Sequence, residues 1–130
     1  MNRKNMVWVK GPKKPAKLSQ WDKESLLKRV EEEVAKTTKL QKDVSRIEIR
    51  AGRVYFYKLY EQFLMEGVTY TVPLIEGKYI EFPYARITVY DKTFRDCSLN
   101  WQRHNNQWMT LNEGTLEDCI QKAEQSDWLE

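Results

Sequence analysis

Apolar residues recur every three or four positions between residues 21 and 41, which is the period of a helix with one buried face. The apolar stripe consists of Leu26, Leu27, Val30 and Val34. Ser19 and Asp22 have the S-x-x-D spacing of a capping box, in which two side chains accept hydrogen bonds from free N–H groups of the first turn. We therefore predict a helix over residues 21–41, with the Thr37-Thr38 pair as its weakest part.

A second stripe near the end of the chain has the same period. It consists of Leu116, Cys119, Ile120 and Ala123. Thr115 and Asp118 repeat the capping-box spacing ahead of it. The pattern predicts a helix over residues 115–126.

Between these helices the pattern changes to the alternation of strands. Residues 45–50 alternate isoleucine with charge, and Ala51-Gly52 signals a tight turn into a return strand over 53–60. The two faces of the return strand carry Tyr55, Tyr57 and Leu59, and Val54, Phe56 and Tyr60, respectively. Both faces are apolar, and we expect the Tyr face to pack against a helix or a partner chain.

Further segments typical of strands lie at 68–72, 85–90, 94–103 and 107–111, and a turn at 104–106 joins the last two. In the third of these segments Cys97, Leu99 and Trp101 share one face. The elements together predict an α+β fold: an antiparallel sheet of about five strands, with an N-terminal and a C-terminal helix packed on one face.

The composition is that of one globular domain. The chain has 130 residues, of which 41% are hydrophobic and 32% charged. It contains no apolar run long enough to cross a membrane and no apolar core of a secretory signal after its first basic residues. The two cysteines are too few and too isolated to indicate a disulfide framework, so buried thiols in a cytoplasmic protein are the favoured interpretation.

Charge is distributed unevenly along the chain. The protein has 22 basic and 19 acidic residues, and its first 21 positions contain six basic residues and no acidic one. These are Arg3, Lys4, Lys10, Lys13, Lys14 and Lys17. We interpret residues 1–18 as a basic flexible arm and 19–130 as a single α+β domain. Such an arm is a candidate nucleic-acid-binding element, and the alternative is a leader that keeps the chain soluble.

No catalytic, metal-binding or cofactor motif has the required spacing. Cys97, Cys119 and His104 are the residues from which a zinc site or a Cys–His pair would have to be built, and none lies at ligand spacing from another. The glycines are scattered and form no phosphate-binding loop. We expect no cofactor and no metal ion, and a small thiol- or acid-based enzyme is the least favoured function.

Aromatic residues concentrate in the predicted sheet: all seven Tyr, all four Phe, Trp101 and Trp108 lie between residues 53 and 108. The candidate partner-binding residues are Tyr55, Tyr57, Trp101, Arg103 and Trp108. Half-exposed rings of this kind are common at protein interfaces. The favoured function is a non-enzymatic binding or accessory module that forms a homodimer or binds a protein partner through this surface.

The alternative is nonspecific nucleic-acid binding. In it the basic arm neutralises phosphates, and the Tyr strand, which interleaves Arg50 and Arg53 with rings, stacks on bases. Neither function involves a membrane.

Several short motifs resemble a family of small bacterial domains of unknown function. They are Phe82-Pro83-Tyr84-Ala85-Arg86-Ile87, Ser98-Leu99-Asn100-Trp101-Gln102-Arg103, Gln107-Trp108, Thr115-Leu116-Glu117-Asp118 and Asp127-Trp128. Members share a Pro-x-Ala-Lys/Arg strand, a Trp-rich hairpin with an Arg, and a closing helix that ends in Asp and Trp. The resemblance covers residues 46–128 and implies a helix, antiparallel strands and a second helix, with no assigned mechanism. The chain departs from the family where Asp127 directly precedes Trp128 and where Leu129 replaces a glycine.

Overall fold

The protein folds as a five-stranded antiparallel sheet with helices contributed from both ends of the chain. The computed structural model describes residues 13–61, 75, 79–102 and 107–126. The elements in chain order are α1 (Gln20–Ala35), α2 (Lys39–Asp43), β1 (Arg46–Arg50), β2 (Arg53–Glu61), β3 (Tyr79–Val89), β4 (Cys97–Gln102), β5 (Trp108–Gly114) and α3 (Leu116–Gln125). The strands neighbour one another in sequence order, β1-β2-β3-β4-β5. The predicted α+β class is confirmed.

Both predicted capping boxes are present. The Ser19 hydroxyl accepts from the N–H of Asp22 and the Asp22 carboxylate accepts from the N–H of Ser19, at 3.1 and 3.2 Å. Thr115 and Asp118 make the same reciprocal pair ahead of α3, with both bonds at 3.1 Å. Each box satisfies two N–H groups that a helix start leaves free.

The prediction of a single helix over 21–41 is wrong at residues 36–38, where the helix is interrupted between α1 and α2. The Thr37 hydroxyl donates to the carbonyl of Val34 at 2.5 Å. The Glu124 carboxylate of α3 then accepts from the backbone N–H groups that open α2, at 2.9–3.0 Å. Those three groups belong to Thr38, Lys39 and Leu40. A carboxylate distant in sequence thus supplies the cap for a new helix.

The β1–β2 hairpin is confirmed, with the strands in register from Arg46↔Tyr57 to Arg50↔Arg53. Its two turn residues, Ala51 and Gly52, have positive φ angles of 53° and 75°. Two central residues with positive φ are the geometry of the turn that matches the twist of paired strands.

The third strand is longer than the predicted 85–90 and contains Pro83. The register shifts there, because Phe56 pairs with Ala85 and Tyr57 with Pro83, which leaves Tyr84 as an extra residue. Proline has no N–H to donate, so it fits where a bulge interrupts the ladder.

The fourth strand begins at Cys97, three residues later than predicted, since Phe94 lies in a tight turn with a φ of 61°. The Asp91 carboxylate closes that turn by accepting from the N–H groups of Arg95 and Asp96, both at 3.0 Å. The fifth strand extends to Gly114, past the predicted end at 111. The predicted strand at 68–72 and turn at 104–106 lie outside the described residues.

One face of the sheet and the helices share a hydrophobic core. The helices contribute Leu26, Val30, Val34, Leu40, Leu116, Cys119, Ile120 and Ala123, and the sheet contributes Val54, Phe56, Ala85, Ile87, Val89, Cys97 and Leu99. The face of β2 that packs on the helices is therefore the one with Val54 and Phe56, and the expectation that the Tyr face meets a helix is corrected. Among the described helices, none is long and apolar enough to span a membrane.

The described part of the predicted arm contacts the domain. The Ala16 N–H donates to the carbonyl of Val89 at 2.8 Å, and Leu18 packs against the core. Lys13 forms an ion pair with Asp96 at 3.0 Å. We call residues 13–18 the N-terminal strap.

Candidate functional site

The sheet face opposite the core carries most of the candidate residues, and we call it the outer face. It consists of Arg46, Glu48 and Arg50 on β1, Arg53, Tyr55 and Tyr57 on β2, Arg86 and Thr88 on β3, Ser98, Asn100 and Gln102 on β4, and Trp108 and Thr110 on β5. These residues follow from strand register, because side chains alternate between the two faces along each strand.

Two arginines of the edge strand cover the two tyrosines. The Arg46 guanidinium lies 3.8 Å from the ring centre of Tyr57, and the Arg50 guanidinium lies 4.2 Å from that of Tyr55. Each of these two tyrosines is only 7% exposed. The tyrosines are thus already stacked within the chain, on cations that favour the ring face.

Glu48 links these two stacks. The Tyr57 hydroxyl donates to its carboxylate at 2.6 Å, and Arg50 donates to the same oxygen at 3.2 Å. The Tyr57 hydrogen bond and the charges of Arg50 and Arg46 hold the pKa of Glu48 below its ordinary value. Arg46 is also paired with Glu81, at 2.8 Å. The β1 edge of the outer face therefore carries matched charges.

Trp108 extends the aromatic layer to the opposite edge. Its ring meets that of Tyr55 edge to face, with centroids 6.0 Å apart and an interplanar angle of 73°. Two strands separate β2 from β5, so the side chains must lean across them to touch. The guanidinium of Arg86 lies 4.5 Å from the centre of the Trp108 ring. The two rings thus lie in contact with each other, with Arg50 on Tyr55 at one end and Arg86 on Trp108 at the other.

Asn100 holds Arg86 in place through a hydrogen bond. Its side-chain oxygen accepts from Arg86 Nε at 3.0 Å and from the Thr88 hydroxyl at 2.8 Å. Its amide nitrogen donates to the hydroxyls of Ser98 and Thr110 at 3.3 and 3.1 Å. All four hydrogen-bonding positions of this buried amide are occupied, which fixes the direction of the Arg86 guanidinium.

Arg53 and Arg86 have no acidic partner among the described residues. Tyr55 pairs with Arg86 and Arg53 with Thr88, so the two arginines are diagonal neighbours, with Cα atoms about 7–8 Å apart. Burial lowers the pKa of Arg86, and the charge of Arg53 lowers it further. Arg53 Nε is buried and no described residue accepts its hydrogen bond. Positive charge is therefore in excess at this place.

The structure brings together three of the five predicted partner-binding residues: Tyr55, Tyr57 and Trp108. Trp101 lies on the other face, where it packs against the core. Arg103 lies outside the described residues.

Of the six cations predicted for the basic arm, the structure describes three. Lys13 is paired with Asp96 and lies 5.3 Å from the ring centre of Tyr90. Lys14 and Lys17 are exposed on the strap, beside Arg53. Arg3, Lys4 and Lys10 lie outside the described residues.

Sequence reasoning missed Arg86 and Asn100. For Arg86 a signal was present in the alternation of β3, because Arg86 and Thr88 share the face opposite Ile87. That Arg86 and Asn100 lie on the same face as Tyr55 follows only from the register between strands.

The thiols do not form a nucleophilic site. Cys97 and Cys119 are fully buried and free, and burial raises the pKa of each to about 12. Because the thiolate is the reactive form, both are inert at neutral pH in the folded state. Within residues 13–61, 75, 79–102 and 107–126, no group of three His, Cys, Asp or Glu side chains is placed to hold a metal ion.

Comparison with family models, with curated proteins and with solved structures found no match for this chain. The resemblance to a bacterial family of unknown function therefore stays a prediction.

Proposed function

We propose that the protein is a non-enzymatic module that binds a nucleic-acid strand on the outer face. The observation that carries this proposal is the pair Arg53 and Arg86, two neighbouring arginines without a carboxylate partner among the described residues. Phosphate groups are the ligands that such a pair suits, since a guanidinium can donate two parallel hydrogen bonds to one phosphate.

The cations of the strap lie next to the outer face. Lys14, Lys17 and Lys23 line a pocket together with Arg53, so Arg53 belongs both to this pocket and to the outer face. A band of unpaired cations attracts a polyanion by releasing its counterions. Trp108 stays partly exposed beside Arg86 and offers a ring for a base, whereas Tyr55 and Tyr57 are buried under arginines and serve as support.

The test is a titration of the intact protein with fluorescent single-stranded DNA and RNA at about 50 and 200 mM salt, a range over which phosphate contacts weaken strongly. Asn100→Asp places a carboxylate beside Arg86 with almost no change in size. Arg53→Gln removes the neighbouring charge. We expect each variant to weaken binding about threefold or more at low salt and to reduce the salt slope by about 1.

The matched controls are Asn112→Asp and Lys28→Gln, which make the same changes of charge away from the outer face. Asn112 pairs with Leu99 on the core side of the sheet, and Lys28 is exposed on α1. Controls that lose as much affinity as the test variants would contradict the proposal, as would a wild-type protein that binds neither nucleic acid.

A second candidate function, self-association, is favoured by β5. In the described part of the chain this strand pairs only with β4, and its residues 108–112 carry no charge. Met109 is 40% exposed there. Uncharged edge strands are templates for pairing with a second chain, whereas β1 is protected by alternating charges. Light scattering over a range of concentrations tests this homodimer, which Met109→Lys should dissociate.

The proposed location is the cytoplasm. Both cysteines are free, and free thiols persist in reducing compartments. No membrane contact is part of the proposal.

A further inference from the structure

The pocket beside the strap has the features of an anion site. Residues 14–18 form one wall and residues 51–53 of the β1–β2 hairpin form the other, and Lys23 of α1 also lines the pocket. Its volume is about 500 Å³. A cavity of this size accommodates a small group such as a phosphate ester and excludes a duplex.

The lining is basic without acidic compensation. Lys14, Lys17, Lys23 and Arg53 contribute four cations, and none of the described Asp or Glu residues lines the pocket. None of these four forms an ion pair with another described residue; on the strap it is Lys13 that is paired, with Asp96. Converging cations in a concave site focus the field and raise the local concentration of anions.

Arg53, one of the lining residues, has a donor that is buried and unused. Its Nε is shielded from solvent and has no acceptor among the described residues. A buried donor without an acceptor is unfavourable, and an anion would satisfy it once the Arg53 side chain turns toward the pocket. This donor is independent of the charge count.

The backbone holds the walls in place before any ligand arrives. The Ala16 N–H donates to the Val89 carbonyl at 2.8 Å, and the Val89 N–H donates to the Gly52 carbonyl at 2.9 Å. The strap and the turn are thus tied to the same residue of β3. A site fixed in this way loses little conformational freedom on binding.

We infer that this pocket binds a terminal phosphate, either at the end of a nucleic-acid strand or on a small phosphorylated molecule. A phosphate monoester carries a charge of about −1.5 to −2 near pH 7 and three strong acceptor oxygens, which suits four cations of which one is a forked guanidinium. If the phosphate belongs to a strand end, the inference rests on the proposed function. If it belongs to a small phosphorylated molecule, the inference is independent of that function.

The first experiment is calorimetric titration of the intact protein with inorganic phosphate and with pyrophosphate in a phosphate-free buffer. Lys17→Gln and Arg53→Gln should each weaken binding about tenfold, as expected for loss of one charge-assisted contact. Lys14→Glu changes an exposed side chain, so it should fold normally and abolish binding by repulsion. Lys28→Gln is the matched control and should bind like the wild type.

The second experiment distinguishes the two sources of the phosphate. An oligonucleotide with a 5′-phosphate, one with a 3′-phosphate and one with hydroxyl ends are compared with a nucleoside monophosphate. Tighter binding of a phosphorylated end supports a strand end, and equal binding of all three oligonucleotides with retained phosphate binding supports a small ligand. Failure of inorganic phosphate, pyrophosphate and every terminal phosphate to bind would overturn the inference. If the hydroxyl-ended strand nevertheless bound in a salt-dependent way, the proposed nucleic-acid binding on the outer face would be retained.

Discussion

The carbonyl oxygen of Ala16 lies 2.6 Å from the place where a Cβ on Gly52 would be. The Cβ of Pro15 lies 2.8 Å from the same place. Gly52 also has a φ of 75°, which side-chain-bearing residues rarely adopt. The strap can therefore lie on the β1–β2 turn only because residue 52 is glycine, and the pocket depends on that contact.

Gly52→Ala should detach the strap and destabilise the protein. Both the clash with backbone atoms and the positive φ oppose an alanine, so we expect the free energy of unfolding to fall by about 2–3 kcal/mol. Chemical denaturation measures this loss, and titration with phosphate should show binding abolished. Lys28→Ala is the comparison, because Lys28 is exposed on α1 and lies away from the strap and the turn. Equal losses in the two variants would show that the strap contact is unimportant.

Ala51→Asn should have the opposite effect on stability. Ala51 is exposed and has a φ of 53°, so it bears backbone strain without a packing contact that requires alanine. Asn-Gly is the preferred sequence for a two-residue turn in which both φ angles are positive. We expect the free energy of unfolding to rise by about 0.5–1 kcal/mol. Ala51→Val, with a branched side chain in the same conformation, should lower it, and a gain in both variants would contradict the strain argument.

Elements set by neighbouring residues could be predicted from the sequence. The capping boxes at Ser19 and Thr115 involve residues three apart, and the hairpin at Ala51-Gly52 involves adjacent strands. Helical and strand periods then assign the core side of each element. This local information was enough for the fold class.

Features set by distant residues could not be predicted in this way. The break between α1 and α2 depends on Glu124, which lies more than 80 positions further along the chain. The outer face depends on arginines of β1 that cover tyrosines of β2, so large rings on both faces of β2 did not reveal which face meets the helices. The candidate site was therefore recognised only in part.

Glu124→Gln should test the cap between α3 and α2. Partial burial raises the pKa of the Glu124 carboxyl, but the N–H groups of Lys39, Leu40 and Thr38 lower it by more, so the net pKa lies below its ordinary value. A charged acceptor of three N–H groups stabilises the native state, and a neutral amide does so less well. We expect a loss of about 1 kcal/mol at neutral pH, with allowance for solvent screening.

The pH dependence of this loss has a definite sign. The contribution of Glu124 is complete above the ordinary carboxyl pKa and disappears as the pH falls through the lowered pKa of the folded state. Wild type and Glu124→Gln should thus converge in stability at low pH, as measured by denaturation across a pH series. Gln125→Glu, one residue further along and exposed, adds a carboxylate without a cap and should differ little from the wild type at any pH. A difference that stays constant with pH would contradict the cap.

Cys97 and Cys119 should react very slowly with alkylating reagents in the folded protein, as expected if neither is a catalytic thiol. Burial raises the pKa of Cys97 and Cys119 to about 12, so alkylation of the folded protein at pH 8 should be about a thousandfold slower than that of an ordinary exposed thiol. Both should react rapidly once the protein is unfolded in denaturant. This reaction serves as the control, because it shows that the reagent is active and that two thiols are detected. The native rate should rise about tenfold per pH unit and level off only near pH 12, unless the protein unfolds first. Rapid native alkylation of either cysteine near pH 7 would reveal a reactive thiolate, and an enzyme built on that residue would then replace the binding module as the leading function.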